Sequence, residues 1–214
     1  MAPSDQEKLR QELFEELRLE ITDERVVEAM SRVPREFFVS PESLELAYAN
    51  QPLPIGSGQT ISQPLIVGLM TAALRLGPQA RVLDVGTGSG YQTAVLAELA
   101  REVVTVERLP ELLQLAQRRL AALGYENIVF REAGAVLGCP ELAPYDGILV
   151  AAAAPGVPST LVEQLAPGGR LVIPVGGRHE QELIVISKGA DGVRQEVLGA
   201  CRFVPLIGPG AWDD

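Results

Sequence analysis

Apolar positions change period along this chain, and the changes mark its elements. Leu9, Leu13 and Leu17 recur every fourth residue, which predicts a helix opened by the capping box Ser4-x-x-Glu7 and ending near Leu19. Thr22 is placed to cap a second short helix carrying Val26, Val27 and Met30, which Pro34 stops. Periodicity then fades over residues 35–63, where Phe37, Phe38 and Tyr48 are embedded among Pro, Gly and Ser. Within that stretch, residues 53–62 hold too many apolar positions for a solvated spacer and are expected as an ordered loop beside a site. Pro64 suits a first helical turn, and Leu65, Ile66, Leu69, Met70 and Ala73 predict an inward face on a helix reaching about Leu76.

Beyond this point short β-branched runs alternate with helical ones. Strands are expected at 82–85, 103–106, 128–130 and 145–150, and helices at 91–100, 111–123 and 159–165. Gly168-Gly169 turns the chain into a strand at 170–174, and two last β segments, 182–187 and 193–204, flank a glycine-bounded turn at 189–192. Alternation followed by a hairpin implies an α/β fold: a doubly wound, mostly parallel sheet with an antiparallel C-terminal edge and an N-terminal helical extension. Residues 1–63 are expected as N-terminal helices and a substrate-side loop packed on a core built by 64–214, one structural unit in all.

Composition narrows the function classes. A chain of 214 residues with 47% apolar content can bury one α/β core. Its net charge of −10 is spread without a basic stripe, which argues against a nucleic-acid partner. Two cysteines without a C-x-x-C and one histidine leave no zinc site, so no metal is expected. His179 falls in a glycine-rich loop tip and is expected to be exposed and non-catalytic. No apolar run approaches the ~20 residues that span a bilayer, and the polar N-terminus lacks a secretion core. These features predict a cytoplasmic protein with reduced thiols, no membrane partner and a monomeric state.

The chemistry concentrates in one strand–turn–helix–strand unit. Val82, Leu83 and Val85 read as a buried strand, followed by Gly86-Thr87-Gly88-Ser89-Gly90 and, 21 positions after Gly86, by Glu107. Glycines allow positive φ and close approach of a ligand to the main chain, and a strand-terminal acid at that separation can bond ribose hydroxyls. The G-x-G-x-G spacing lacks the third-glycine position of a dinucleotide site, and Asp84 precedes the turn by two residues. Both features favour S-adenosylmethionine. Asp84 is expected to brace the turn through backbone N–H groups, and Arg108, Glu132 and Ala133 to complete the cofactor contacts.

Three segments together are similar to the protein-L-isoaspartate (D-aspartate) O-methyltransferase family. They are Pro52-Leu53-Pro54-Ile55-Gly56-x-Gly58-Gln59-Thr60-Ile61-Ser62-x-Pro64, Gly86-Thr87-Gly88-Ser89-Gly90-Tyr91-Gln92, and Leu165-x-Pro167-Gly168-Gly169-Arg170-Leu171-Val172-Ile173-Pro174-Val175-Gly176. Weaker likeness at Val33-Pro34-Arg35-x-Phe37, Ala47-Tyr48 and 202–206 extends the resemblance over about residues 30–208. The resemblance implies a Rossmann-like class I methyltransferase fold. It also implies S-adenosylmethionine as cofactor (S-adenosylhomocysteine as product), and methylation of L-isoaspartyl or D-aspartyl carboxylates in damaged proteins, whose esters collapse to succinimides. Ser62 matches the family's active-site serine.

The chain departs from the pattern where the family reads Gly-Asp-Gly: here it has Ala133-Gly134-Ala135. The missing aspartate would contact the adenine amino group, and losing one charge-assisted hydrogen bond costs about 1.5–3 kcal/mol. Cofactor binding is thus expected to be impaired without being abolished. A carboxylate acceptor is already ionised at neutral pH and needs no general base, which suits a chain with one loop histidine. Ile55, Gln59, Thr60, Ser62 and Val204 are the expected substrate contacts, the extended peptide being held by main-chain pairing rather than by a basic cleft. By spacing alone Ser62 equally suits the N-cap of the helix at Pro64. Two other readings stand beside this one: a small-molecule or RNA methyltransferase sharing the cofactor unit, and a non-catalytic binder of an adenosine ligand.

Overall fold

The computed structural model describes residues 5–213. Ser4 of the expected capping box lies outside them. The chain opens with α1 (Asp5–Glu20) and α2 (Glu24–Arg32). Asp23, not Thr22, caps α2, its side chain accepting from the Arg25 amide. Leu13 and Leu17 are buried, whereas Leu9 faces solvent, so the apolar stripe of α1 narrows towards its start. Two 3-10 turns at Arg35–Phe38 and Pro41–Leu46 then lead into β1 (Leu53–Gly56) and β2 (Gln59–Ile61). The segment expected as a loop is therefore a tight antiparallel hairpin, with Leu53 paired to Ile61. Its turn, with Ser57 and Gly58 at φ 50° and 69°, carried no strand-length alternation that a sequence pattern could register.

The rest of the chain builds α3 (Pro64–Leu74), β3 (Arg81–Val85), α4 (Tyr91–Ala97), β4 (Glu102–Glu107), α5 (Pro110–Ala122), β5 (Ile128–Glu132), β6 (Tyr145–Val150), α6 (Ser159–Glu163), β7 (Leu165–Gly176), β8 (Gln181–Gly189) and β9 (Gly192–Cys201). The seven-stranded sheet runs β5-β4-β3-β6-β7-β8-β9. Its first five strands pair in parallel, and β8 and β9 add antiparallel edges. This is the mostly parallel α/β sheet that the alternation implied.

Helix α3 buries more than the face its pattern suggested: Met70 is inside as expected, and the rest of that face packs half-buried against the apolar clusters. Val67, Gly68, Met70, Thr71 and Leu74 are inside, while Leu65, Ile66, Leu69 and Ala73 are half-buried. The reason is that α3 is covered on two sides, by the sheet and by the N-terminal helices. A Cβ on Gly68 would lie 2.1 Å from the Ile21 side chain, so glycine sets how closely α1 and its following residues approach α3. One apolar cluster joins Leu13, Leu17, Val27 and Met30 to Tyr91, Val95 and Leu120, tying the N-terminal helices to α4 and α5.

The strand order decides where a ligand can bind. After β3 the chain moves outward to β4 and β5, then returns to place β6 on β3's other edge. Loops leaving the carboxyl ends of β3 and β6 therefore diverge, which opens a crevice there.

Candidate active site

A cavity of about 390 Å³ occupies that crevice. Its floor is the turn after β3, where Gly86, Gly88 and Gly90 take φ of 97°, 52° and 92°. Gly90 earns its place by packing: a Cβ there would meet Ala116 and Leu120 of α5 at 3.2 Å, so only glycine lets α5 lie against the turn. The amides of Gly86 and Thr87 donate to the Val106 carbonyl at 2.9 and 3.2 Å. Gly88 donates to Glu107 Oε2 at 2.9 Å. The turn is thus fastened to β4 through its amides.

Glu107 ends β4 at the cavity wall and is 7% exposed. Besides Gly88, its carboxylate accepts from the amides of Arg108 at 2.8 Å and Leu109 at 3.0 Å through Oε1. A carboxylate has about four acceptor positions, so one stays open after these three bonds are made. That position suits a ribose hydroxyl, which requires an acceptor. The open acceptor and the glycine surface fit an adenosine-containing cofactor.

Asp84 does not brace the turn as expected. It is fully buried, does not line the cavity, and accepts from the hydroxyls of Thr93 at 2.6 Å and Thr105 at 3.0 Å rather than from backbone amides. Thr105 in turn shares a 2.6 Å hydrogen bond with Thr87 of the glycine turn. Among the described residues Asp84 Oδ1 has no hydrogen-bond partner. Burial, reinforced by the Glu107 charge and opposed by the two threonine hydroxyls, pushes the Asp84 carboxyl up to about 7.

The opposite wall comes from the hairpin. Gln59, Thr60 and Ser62 line the cavity together with Gly86, Thr87, Gly88 and Ser89. Ser62 does not cap α3: the N-cap is Gln63, without a side-chain bond, and the Leu65 amide donates instead to Asn50 Oδ1 at 3.1 Å. The Ser62 hydroxyl is therefore not committed to the helix end. Of the other expected contacts, Arg108, Ala133 and Val204 line the cavity, while Ile55, Gly90 and Glu132 do not. Ile55 nonetheless lies close to the turn, 3.5 Å from where a Gly88 Cβ would stand. Gly134 also lines the cavity, and a Cβ added to it would meet nothing within 4 Å. His179 is exposed and outside the lining, as expected.

Some wall residues gave no signal in the sequence. The segment after β9 folds back over the end of β6, Leu206 donating to the Ala153 carbonyl at 2.7 Å, and brings Leu206, Gly208 and Pro209 into the cavity. Arg178, in the loop between β7 and β8, also lines it and stacks over the Trp212 ring at 5.0 Å. The glycines of 176–177 and 208–210 were the only hint of such turns.

A family model for protein-L-isoaspartate(D-aspartate) O-methyltransferase (PCMT) matches residues 7–210. The chain belongs to this family. A protein-L-isoaspartate O-methyltransferase of Dictyoglomus thermophilum is 52% identical over 209 residues, covering 97% of this chain and 95% of the relative. Among solved structures, a protein-L-isoaspartate O-methyltransferase superposes with a TM-score of 0.83 at 28% identity, over 94% of this chain and 67% of that one. A Plasmodium falciparum protein described as the same enzyme, solved in complex with S-adenosyl-L-homocysteine, gives a TM-score of 0.78 at 28% identity, over 91% and 96% of the two chains. As a PCMT-family member the chain has the class I methyltransferase fold, and among its described residues no helix is long and apolar enough to cross a membrane.

Proposed function

We propose that this chain transfers a methyl group from S-adenosylmethionine to the free carboxylate of L-isoaspartyl and D-aspartyl residues in damaged proteins. The observation that carries this reading is a single cavity walled on one side by the glycine turn and Glu107, and on the other by Gln59, Thr60 and Ser62. Such a cavity seats a nucleoside and an acceptor side by side, and alignment is the main requirement of a displacement at a methyl carbon.

When bound, the cofactor supplies an electrophilic methyl group on a sulfonium. Glu107 holds the ribose through its open acceptor position, and Gly86, Thr87, Gly88, Ser89, Arg108 and Ala133 form the surface around it. Asp84 and Gly90 act from behind, Asp84 through Thr105 on Thr87 and Gly90 by admitting α5. Glu132 stands in register with Glu107 on the neighbouring strand, exposed and off the cavity wall. Ser62 donates its hydroxyl to the acceptor carboxylate and, with Thr60, orients one oxygen for attack. No proton has to be removed, because the acceptor arrives ionised, and the absence of a histidine from the wall is consistent with that. The outer edge of β2 presents Gln59 and Thr60 to an extended peptide, with Ile55 and Val204 as flanking apolar contacts.

This reading places the enzyme in the cytoplasm, working as a monomer on proteins rather than on nucleic acid. The net charge of −10 supports the last point. The deciding experiment incubates the protein with methyl-labelled S-adenosylmethionine and paired peptides that differ only in carrying aspartyl or L-isoaspartyl linkage. Base-labile label on the isoaspartyl peptide alone is expected; equal labelling of both peptides, or of neither, overturns the assignment.

A further inference from the structure

Directly behind Ser62 the protein buries a permanent positive charge. Arg35 is 1% exposed and is among the largest wholly buried side chains. Its Nε donates to the Ala47 carbonyl and its Nη2 to the Ser62 carbonyl, both at 2.9 Å. The guanidinium carbon sits 4.8 Å from the centre of the Tyr91 ring, and Tyr91 in turn packs edge-on against Phe38 at 5.6 Å. Ser62 and Tyr91 both line the cavity, so the guanidinium lies one layer behind its wall. Its buried Nη1 has no hydrogen-bond partner among the described residues. Among the described residues no carboxylate comes within ion-pair distance of it.

An unpaired buried cation is expensive, and a merely structural strut has no need of the charge: a neutral donor to Ala47 and Ser62 would do. The substrate, however, brings a carboxylate to Ser62. We infer that Arg35 is a positioning residue whose buried charge acts, through Ser62, as the counter-charge of the acceptor carboxylate, so that the site holds the acid and releases its ester. This rests on the functional reading above, which puts the acceptor at Ser62.

The electrostatics give the proposal a distinctive signature. Methyl transfer joins a carboxylate oxygen to the methyl carbon and breaks that carbon's bond to sulfur, whose positive charge is neutralised by the departing electron pair. The acceptor's negative charge is already shrinking in the transition state and is gone in the ester. A fixed cation therefore favours bound substrate over both, lowering KM without raising kcat. It also weakens product binding, which matters in a cavity whose walls touch acid and ester alike.

The test compares wild type, Arg35→Lys and Arg35→Met in the full chain. KM and kcat are measured on an L-isoaspartyl peptide, and inhibition constants are measured for its neutral isoasparaginyl and methyl-ester counterparts. Wild type is expected to prefer the acid to both neutral peptides by on the order of tenfold. In Arg35→Met that preference falls to near parity through a higher KM, with kcat unchanged or raised, while Arg35→Lys keeps the preference. An unchanged preference in Arg35→Met, or equal losses in Met and Lys variants with intact S-adenosylhomocysteine binding, reduces Arg35 to a strut and overturns the proposal. Should Arg35→Met not fold, wild type decides alone. A preference that survives about 0.5 M salt supports a buried source of charge, and one that vanishes there rejects it. A wild type that methylates no isoaspartyl peptide sinks the functional reading instead.

Discussion

Asn50 Oδ1 accepts the amide hydrogen of Leu65 at 3.1 Å, so the helix that follows Ser62 is capped from a residue fifteen positions upstream. Ser62, the obvious capping candidate, is left to the cavity. Asn50→Ala should cost about 1 kcal/mol of stability. It should also raise KM for the isoaspartyl peptide, because it loosens the start of α3 against the hairpin. Asn50→Asp keeps the acceptor for the Leu65 amide and should restore KM, but it regains only part of the stability, because it loses the Nδ2 donor to Glu16 at 2.6 Å and sets two carboxylates together. Thermal unfolding and steady-state kinetics on the two variants check this.

Ser62→Ala removes the hydroxyl proposed to orient the acceptor while leaving its own backbone bond to Arg35 in place. We expect kcat on an isoaspartyl peptide to fall by about tenfold or more, with S-adenosylhomocysteine affinity scarcely altered. Unaltered turnover would remove Ser62 from the reaction.

Glu107→Gln replaces an acceptor of three backbone amides with a group whose nitrogen can only donate. Either the Gly88 amide or both the Arg108 and Leu109 amides then face an NH2. Calorimetric titration should show cofactor affinity reduced by roughly ten- to a hundredfold, from one charge-assisted bond lost and one buried donor stranded.

Gly134→Asp tests the departure from the family pattern. The position lies on the cavity wall, has room for a Cβ, and is not held in the left-handed region. Restoring the carboxylate should tighten S-adenosylhomocysteine binding by about tenfold or more, the gain of one charge-assisted hydrogen bond. A sulfonium analogue without the adenine amino group should show no gain.

Asp84 gives a pH dependence whose sign is fixed. Its folded-state pKa of about 7 lies above the ordinary aspartate value of 3.8, chiefly through burial. Between those values the folded protein holds a proton that the unfolded chain releases, so this residue's contribution to stability declines as pH rises through that window. Asp84→Asn cannot titrate. Its melting temperature relative to wild type should climb from about pH 4 to about pH 8, and a flat difference across that range would refute the buried, proton-holding carboxyl.

Legibility in the sequence followed the range of the interactions. The strands of the sheet, the glycine turn, Glu107 and the late hairpin were readable because local rules govern them: β-branched runs, positive-φ glycines and a turn bounded by Gly189 and Gly192. Errors arose where two distant segments meet. Proximity in sequence points Asp84 at the turn, but Thr93 and Thr105 capture it from α4 and β4. The burial of α3 exceeds its one-faced pattern because the helix is covered from two sides, and no single-helix pattern reports a second layer.

The sequence by itself determined the α/β order, the family, and the glycine turn with Glu107 on the neighbouring strand, since each depends on neighbours within a few positions or on a contiguous motif. Only the tertiary structure decided that Asn50 frees Ser62, that the segment after β9 closes the cavity, and that Arg35 lies behind the serine. Those relationships join residues separated by a dozen or more positions, and hydrogen bonding and burial at that range are settled by packing, not by local pattern.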